Sequence, residues 1–421
     1  MAVSITLERD ATPGRKVSRA SGWGAVFALT LCVATLIASE FMPVSLLTPI
    51  ATDLHMTEGR AGQAIAVSGV FAVLTSLGLS SATRGIDRRR VLLSLAVLMM
   101  VSGAMVAFAP NAGVFMAGRA LVGIVIGGFW SMSAATVMRL VPEADVPRAL
   151  GMLNGGNALA TTIAAPFGSF LGQYIGWRGA FFAVVPLAAL TLGWLWVSLP
   201  SMPSERASGG GTVFRVLRRP QVPAGMLAVT LFFAGQFTLQ TYLRPFLETV
   251  TCVDGSTLSL LLLVMGCAGL LGTWLIGLVL RTRLSSVLIG LPVVMAAVTV
   301  ALTMLGGALV PVAVLLAVWG LLGTAAPVGW WTWLSRVLPD DAEAGGGFMV
   351  AVIQFAIALG ATMGGAAYDA SGYQATFAVT AVALSASALV AGRSSRVDTP
   401  RRGGVRHRMA RTSRHSLNHG E

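Results

Sequence analysis

Charged residues are scarce in this chain. Of its 421 residues, 11% are Asp, Glu, Lys or Arg and 55% are hydrophobic, and the mean hydropathy is +0.78. A soluble globular protein carries about a quarter charged residues, so this composition indicates a polytopic membrane protein. At about 20 apolar residues per span, twelve spans and their loops nearly exhaust the chain and leave no room for a soluble catalytic domain.

Residues that support catalysis or metal binding are also rare. The only lysine is Lys16, so the chain contains no G-x-x-x-x-G-K-[ST] phosphate-binding loop and is not itself an ATP-driven pump. Only His55 among four histidines precedes the C-terminal tail, and no H-E-x-x-H or C-x-x-C motif occurs. Cys32, Cys252 and Cys267 give no disulfide framework. We therefore expect no enzyme activity, no metal and no cofactor.

What the chain does contain is a series of apolar stretches of helical length, such as residues 91–109. These stretches are apolar all round, without the alternation of a β-barrel strand. The sequence therefore predicts an all-α membrane protein with twelve transmembrane helices. The predicted spans are 23–49, 61–83, 91–109, 113–138, 149–173, 179–199, 221–244, 256–280, 284–306, 309–335, 344–368 and 372–392.

The basic residues predict the orientation. Except for Arg60, Arg119, Arg178 and Arg244, every Lys and Arg lies in alternate loops or in the tails. These segments are residues 1–22, 84–90, 139–148, 200–220, 281–283, 336–343 and 393–421. Because basic residues concentrate on the cytoplasmic side, both termini are predicted to be cytoplasmic. The basic tail 393–421 is predicted to be disordered. It is either a solvated tail or a segment that contacts anionic lipid.

The chain divides into two related halves. The Gly- and Ser-rich segment 200–220 reads as a cytoplasmic linker between six spans in 23–199 and six in 221–392. MRLVPEAD from Met138 pairs with SRVLPDDA from Ser335 at an offset of 197 residues, and GWRGAFF from Gly176 pairs with GYQATFA from Gly372 at an offset of 196. Two matches at nearly one offset favour an internal duplication. Two pseudo-symmetric six-helix bundles around a central cavity are a transporter architecture.

Only Glu40 and Arg119 are charged side chains well inside the predicted spans. Such charges are costly in a membrane and commonly mark a transport pathway. At 1.5 Å per residue, Glu40 lies roughly 13 Å and Arg119 roughly 9 Å below the outer surface. The affinity of a carboxyl group for a proton rises on burial and falls beside an arginine, so Glu40 is our predicted proton carrier, tuned by Arg119. The alternative is a structurally bonded carboxylate without proton traffic.

Four segments carry a family resemblance: Ser39 to Leu54, Gly118 to Pro142, Ala165 to Arg178 and Pro327 to Arg336. On these segments the chain resembles the major facilitator superfamily, in particular its twelve-span drug:proton antiporters, and it is most similar to bacterial purine ribonucleoside efflux pumps. The resemblance implies a bacterial inner-membrane protein that exports inosine, guanosine and analogues by proton antiport and alternating access. The alternatives are proton-coupled efflux of sugars or drugs, and a non-transporting receptor or scaffold.

Two motifs of this superfamily bear on gating and coupling. Arg119, Gly123 and Gly127 match the R-x-x-x-G-x-x-x-G spacing of the fourth span, whose arginine the family assigns to proton coupling. Pro166 and Gly168 belong to a partial version of the fifth-span antiporter motif. Ordinary close packing of membrane helices is the alternative explanation for these small residues.

A third motif departs from the superfamily. In the loop between spans two and three, Arg84 occupies the position where the family has an acidic residue, and Asp87 replaces the late glycine. Arg88 and Arg89 continue the expected basic cluster, which orientation alone also explains. The resemblance therefore leaves open how the cytoplasmic gate closes.

A central cavity recruits polar and aromatic side chains from several helices. A purine offers a flat face for stacking, and its edge and ribose groups need amide or hydroxyl partners. The substrate candidates are Phe129, Trp130, Ser133, Asn154, Asn157, Gln236, Gln240, Tyr242, Trp330 and Gln354. Core or interfacial packing is the alternative for each aromatic residue. The expected partners are a small-molecule substrate, protons and the lipid bilayer, without nucleic acid, and we expect a monomer.

Overall fold

The computed structural model describes residues 19–83, 85–203, 218–219, 221–338 and 342–396. The regular structure of these residues consists of helices, which confirms the predicted fold class. The helices are α1 (Arg19–Ser45), α2 (Leu47–Asp53), α3 (Glu58–Ala82), α4 (Arg88–Ala107), α5 (Ala112–Leu140), α6 (Val146–Phe182), α7 (Val184–Ser198), α8 (Val222–Thr241), α9 (Leu243–Thr249), α10 (Gly255–Leu305), α11 (Leu309–Val337) and α12 (Ala342–Arg396), with a 3₁₀ turn at Glu143–Asp145. Arg84, most of the predicted linker and nearly all of both predicted tails lie outside the described residues.

Ten helical stretches in the described ranges are long and apolar enough to cross a membrane. Two of them, Glu143–Ser198 with 56 residues and Gly345–Arg393 with 49, are too long for one crossing, which takes about 20 residues. The first contains a backbone break at Gly176, and the second contains one at Ser371 and Gly372. Each therefore provides two crossings, so the total is twelve.

Side chains at the helix starts explain several of the boundaries. The carboxylates of Asp87 and Asp254 accept hydrogen bonds from the first-turn N–H groups of α4 and α10. Thr57 and Asn111 do the same for α3 and α5. Because the first N–H groups of a helix lack partners within it, such caps determine where the helix begins.

The internal duplication is visible in the backbone. Gly176 and Gly372, 196 residues apart, both break a helix at positive φ, with φ of 71° and 73°. The same offset relates α2 to α9, two seven-residue helices that follow the first span of each half. The two halves therefore repeat one another in local structure as well as in sequence.

Each half is centred on a hydrophobic core of its own, and the halves pack against each other mainly along two helix pairs. One core contains side chains of α1, α4, α5, α6 and α7, and a larger one is built mainly from α8, α10, α11 and α12. Between the halves, α3 packs against α12 and α6 packs against α10. Side chains of α1, α3, α8 and α12 near this boundary form the site described next.

Candidate proton and substrate site

Arg119 is fully buried and joins three helices of the N-terminal half. Its Nε donates to the carbonyl oxygen of Ala64 at 3.3 Å, and Nη1 donates to that of Ser39 at 2.8 Å. Its Nη2 donates to the carbonyl oxygen of Glu40 at 3.1 Å and to Oγ of Ser68 at 3.2 Å. Arg119 therefore lies beside Glu40, but its hydrogen bond goes to the backbone oxygen of Glu40 rather than to the carboxylate.

The Glu40 carboxylate lies at the boundary between the two halves. Its side chain is 3% exposed, and its Oε1 accepts a hydrogen bond of 3.2 Å from Nε2 of Gln354 on α12. Its Oε2 and the Oε1 of Gln354 are buried without a hydrogen-bond partner among the described residues. Leaving a buried polar atom unpaired costs free energy, so this carboxylate is suited to receive a proton or a hydrogen-bond donor of a solute.

The substrate candidates differ in their exposure. Asn154 is exposed and donates to the carbonyl oxygen of Leu150 on its own helix at 3.0 Å. The half-buried candidates are Trp130, Asn157 and Gln240, and the buried ones are Phe129, Ser133, Gln236, Tyr242, Trp330 and Gln354. Oε1 of Gln236 is also buried without a partner in the described part of the chain. Gln236 and Gln354 thus combine burial with unused hydrogen-bonding capacity.

Tyr242 and Trp330 have packing roles. The Tyr242 hydroxyl lies 2.9 Å from the carbonyl oxygen of Ala361 and 3.3 Å from that of Gly59, so it bridges the two halves. Trp330 is 2% exposed and packs edge to face against Trp333 within the C-terminal core. Packing, the alternative considered for the aromatic candidates, accounts for both side chains in this conformation.

Further contacts close the predicted outer side. Asp369 on α12 accepts hydrogen bonds from the Thr57 hydroxyl at 2.8 Å and from the Gly59 N–H at 3.1 Å, both at the start of α3. Arg244 donates to the carbonyl oxygen of Ser45, also across the two halves. The spacing of residues in the sequence does not reveal these contacts, because each depends on how the two bundles face each other.

Asp87 makes its contacts within the N-terminal half. It accepts hydrogen bonds from the backbone N–H groups of Arg89 at 2.8 Å and Met202 at 2.9 Å, and from the Ser201 hydroxyl. Partial burial opposes ionisation of the carboxyl group, but these hydrogen bonds and the charge of Arg90 outweigh it and lower the pKa of Asp87. Asp87 therefore anchors the start of α4 to the segment after α7.

The remaining gate candidates lie in helix packing contacts. Nη2 of Arg89 donates to the carbonyl oxygen of Trp196 at 2.6 Å, and the N–H of Arg88 donates to that of Met202 at 3.1 Å. At Gly123 and Gly127 a Cβ atom would clash with the backbone of α3, and at Gly168 it would crowd Oγ of Ser45 on α1. Pro166 is buried beside this contact. Close helix packing explains these small residues, and their role in gating stays a prediction.

One aromatic pair was missed in reasoning from the sequence. Phe41 on α1 and Phe237 on α8 stack across the two halves, with ring centroids 5.7 Å apart and an interplanar angle of 23°. The repeat in the sequence points to this pair. The 196-residue offset that relates Gly176 to Gly372 also relates Glu40 to Gln236 and Phe41 to Phe237.

The fold and the buried charges define a membrane transporter of two six-helix bundles. The family model described as Major Facilitator Superfamily matches residues 27–346. The chain belongs to this superfamily of transporters, and the expectation that it is not an enzyme is confirmed.

Two relatives with high sequence identity to this chain have different names. The chain is 56% identical over 393 residues to the transcription regulatory protein OpdE of Pseudomonas aeruginosa, covering 92% of this chain and 98% of OpdE. It is 41% identical over 368 residues to the purine ribonucleoside efflux pump NepI of Escherichia coli K12, covering 87% and 93%.

Solved structures show the same fold at low identity. A bacterial homologue of the lysosomal transporter Spinster, in an inward-facing unoccupied conformation, matches with a TM-score of 0.77 and 15% identity, covering 90% of this chain and 98% of that one. A D-xylose–proton symporter matches with a TM-score of 0.71 and 17% identity, covering 89% and 97%.

Proposed function

We propose that this protein exports purine ribonucleosides, such as inosine and guanosine, in exchange for protons. The observation that carries the coupling is the buried Glu40 carboxylate, with one oxygen bonded to Gln354 across the bundles and the other without a partner in the described part of the chain. The 41% identity to NepI over almost all of that pump supports the substrate class.

Glu40 suits proton exchange because its environment depends on how the bundles are arranged. Gln354 lies on the opposite bundle, so moving the bundles apart removes its hydrogen bond to Glu40. Arg119 belongs to the same bundle as Glu40 and keeps a positive charge nearby in either arrangement. A carboxylate that exchanges one partner while keeping a fixed cation can take up a proton on one side and release it on the other.

Everted membrane vesicles with an acidic lumen would test the proposed transport. We expect uptake of labelled inosine and guanosine that collapses when a protonophore removes the gradient, with little uptake of a pentose or a cationic dye. Uptake of the pentose or the dye without the nucleosides would support the alternative of sugar or drug efflux.

A second candidate function is solute sensing without transport. The regulatory name of the 56% identical relative OpdE favours this candidate. Binding of nucleosides by the purified protein, with no gradient-driven flux in proteoliposomes, would support it over transport.

The proposal includes a bacterial inner-membrane location with both termini in the cytoplasm, as the distribution of Arg and Lys predicts. Fusions of a fluorescent reporter that matures only in the cytoplasm test it. We expect fluorescence from a reporter placed after residue 421 and none from one inserted beside Asp254, in a predicted outer loop. The monomeric state and the contact of the C-terminal tail with anionic lipid stay proposals.

A further inference from the structure

The stacked pair of Phe41 and Phe237 lies where the two halves of the molecule meet. Phe41 is half-buried and packs against the hydrophobic cores of both halves, and Phe237 is 6% exposed. The two rings are nearly parallel and 5.7 Å apart. Phe41 and Phe237 occupy equivalent positions in the two repeats, because they are 196 residues apart. Each bundle therefore contributes one ring to the stack.

Unpaired hydrogen-bond acceptors lie on the helices that carry the two rings. Glu40 precedes Phe41, and its counterpart Gln236 precedes Phe237. The oxygens without a partner in the described residues are Oε2 of Glu40, Oε1 of Gln236 and Oε1 of Gln354, which bonds Glu40 through its amide nitrogen. The helices that supply the two rings thus also supply hydrogen-bond acceptors without a partner among the described residues.

We propose that Phe41 and Phe237 form the base-stacking surface of the substrate site, and that the unpaired acceptors of Glu40, Gln236 and Gln354 bind N–H and O–H groups of a purine nucleoside. This inference rests on the proposed function and specifies how the base is recognised. The chemistry matches, because a purine base has two π faces and a nucleoside carries several donors on its base and ribose.

Binding of a base between the two rings requires the bundles to move apart. A planar base between two rings needs about 3.5 Å on each side, or about 7 Å in total. The ring centroids are 5.7 Å apart, which is less than this total, so the rings must separate before a base can enter between them. Since each ring belongs to a different bundle, separation of the bundles provides this space.

Leucine substitutions test the stacking, because leucine keeps the apolar bulk and removes the π face. In purified protein we expect F41L and F237L each to weaken inosine binding by about 5- to 50-fold, measured by equilibrium binding of the labelled nucleoside. F41Y and F237Y should retain most of the affinity. F108L is the matched control, because Phe108 pairs with Phe182 within the N-terminal half and is 71% exposed.

Ligand choice separates stacking from general damage to the site. Binding of methyl ribofuranoside, which lacks a base, should change by less than about twofold in the leucine variants. Equal inosine affinity of wild type, F41L and F237L would overturn the stacking role and leave the proposed function intact. Absence of purine nucleoside binding by wild type would overturn both. If a leucine variant does not fold, F41M and F237M make the same test with another non-aromatic side chain.

Discussion

Nε2 of Gln354 donates a hydrogen bond of 3.2 Å to Oε1 of Glu40, which joins the two bundles through a buried carboxylate. This contact connects residues 314 positions apart, and it exists only while α1 and α12 lie against each other. Proton occupancy of Glu40 and the arrangement of the bundles are therefore linked by this one contact. A proton that changes the strength of the contact shifts the balance between closed and open arrangements.

The proposed proton role predicts that Glu40→Gln uncouples transport from the gradient. Glutamine keeps the size and a hydrogen-bonding oxygen but does not ionise near neutral pH. We expect nucleoside exchange in proteoliposomes to continue while efflux driven by a pH gradient falls at least tenfold. The control is Glu143→Gln, which removes an exposed carboxylate from the 3₁₀ turn. Full gradient-driven efflux by Glu40→Gln would contradict the carrier role.

Arg119→Lys should lower both stability and transport although it preserves the charge. The guanidinium donates four hydrogen bonds in different directions, and an ammonium group at the end of a lysine does not reproduce this planar geometry. Losing even one bond to a charged group costs about 1.5–3 kcal/mol. Thermal unfolding in detergent measures the effect, with Arg60→Lys as an exposed control. An unchanged unfolding temperature would show that these contacts contribute little.

The contact of Asp369 with the start of α3 should help to hold the predicted outer side closed. The Gly59 N–H has no partner within its helix at this position, so Asp369→Ala leaves it open to exchange. We expect faster hydrogen–deuterium exchange in a peptide covering residues 57–63, and a smaller effect of Asp369→Asn, which keeps one acceptor. Asp254→Ala is the control, because Asp254 caps its own helix. Unchanged exchange in Asp369→Ala would argue against this latch.

Asp87 should make stability depend on pH in the acidic range. Its pKa is lower in the folded protein than in the unfolded chain, where it is about 3.9. Its stabilisation is therefore fully present above that value and is lost as the pH falls through the folded pKa. We expect Asp87→Asn to unfold at lower temperature than wild type at pH 7, with the difference shrinking as the pH falls below about 4 and vanishing once the pH is below the folded pKa of Asp87. Ser201→Ala, which removes one donor, should show a weaker version of the same trend.

The sequence was sufficient to predict the helices and the duplication but not the contacts between bundles. The breaks at Gly176, Arg283 and Gly372 fall in or beside predicted loops, because apolar length and turn residues are local properties. The contacts of Gln354 with Glu40 and of Phe237 with Phe41 depend on how two rigid bundles face each other. Hydropathy contains no information about that arrangement, although applying the repeat offset to Glu40 and Phe41 would have identified their counterparts.

Gly176 and Gly372 provide a test of the duplication at the level of the backbone. Their φ and ψ values of 71° and 167°, and 73° and −166°, lie in a region that only glycine adopts readily. Apart from its neighbours along the chain, no atom of the described residues lies within 4 Å of a Cβ placed on Gly176, so the cost of an alanine there comes from backbone conformation rather than from a clash. We expect Gly176→Ala and Gly372→Ala each to destabilise the protein by about 1–3 kcal/mol in thermal or chemical unfolding.

Matched controls for these two variants lie in ordinary helix in the same halves. Gly193 in α7 and Gly290 in α10 have helical backbones, and beyond their own helix turns a Cβ on either would meet no atom of the described residues within 4 Å. Alanine at these positions should be neutral or should stabilise by up to about 1 kcal/mol, because glycine in a helix is the less favourable residue. If both halves use glycine for the same turn, Gly176→Ala and Gly372→Ala will lower stability by similar amounts. A large loss at only one of the two would mean that the halves no longer share this requirement, despite their common backbone.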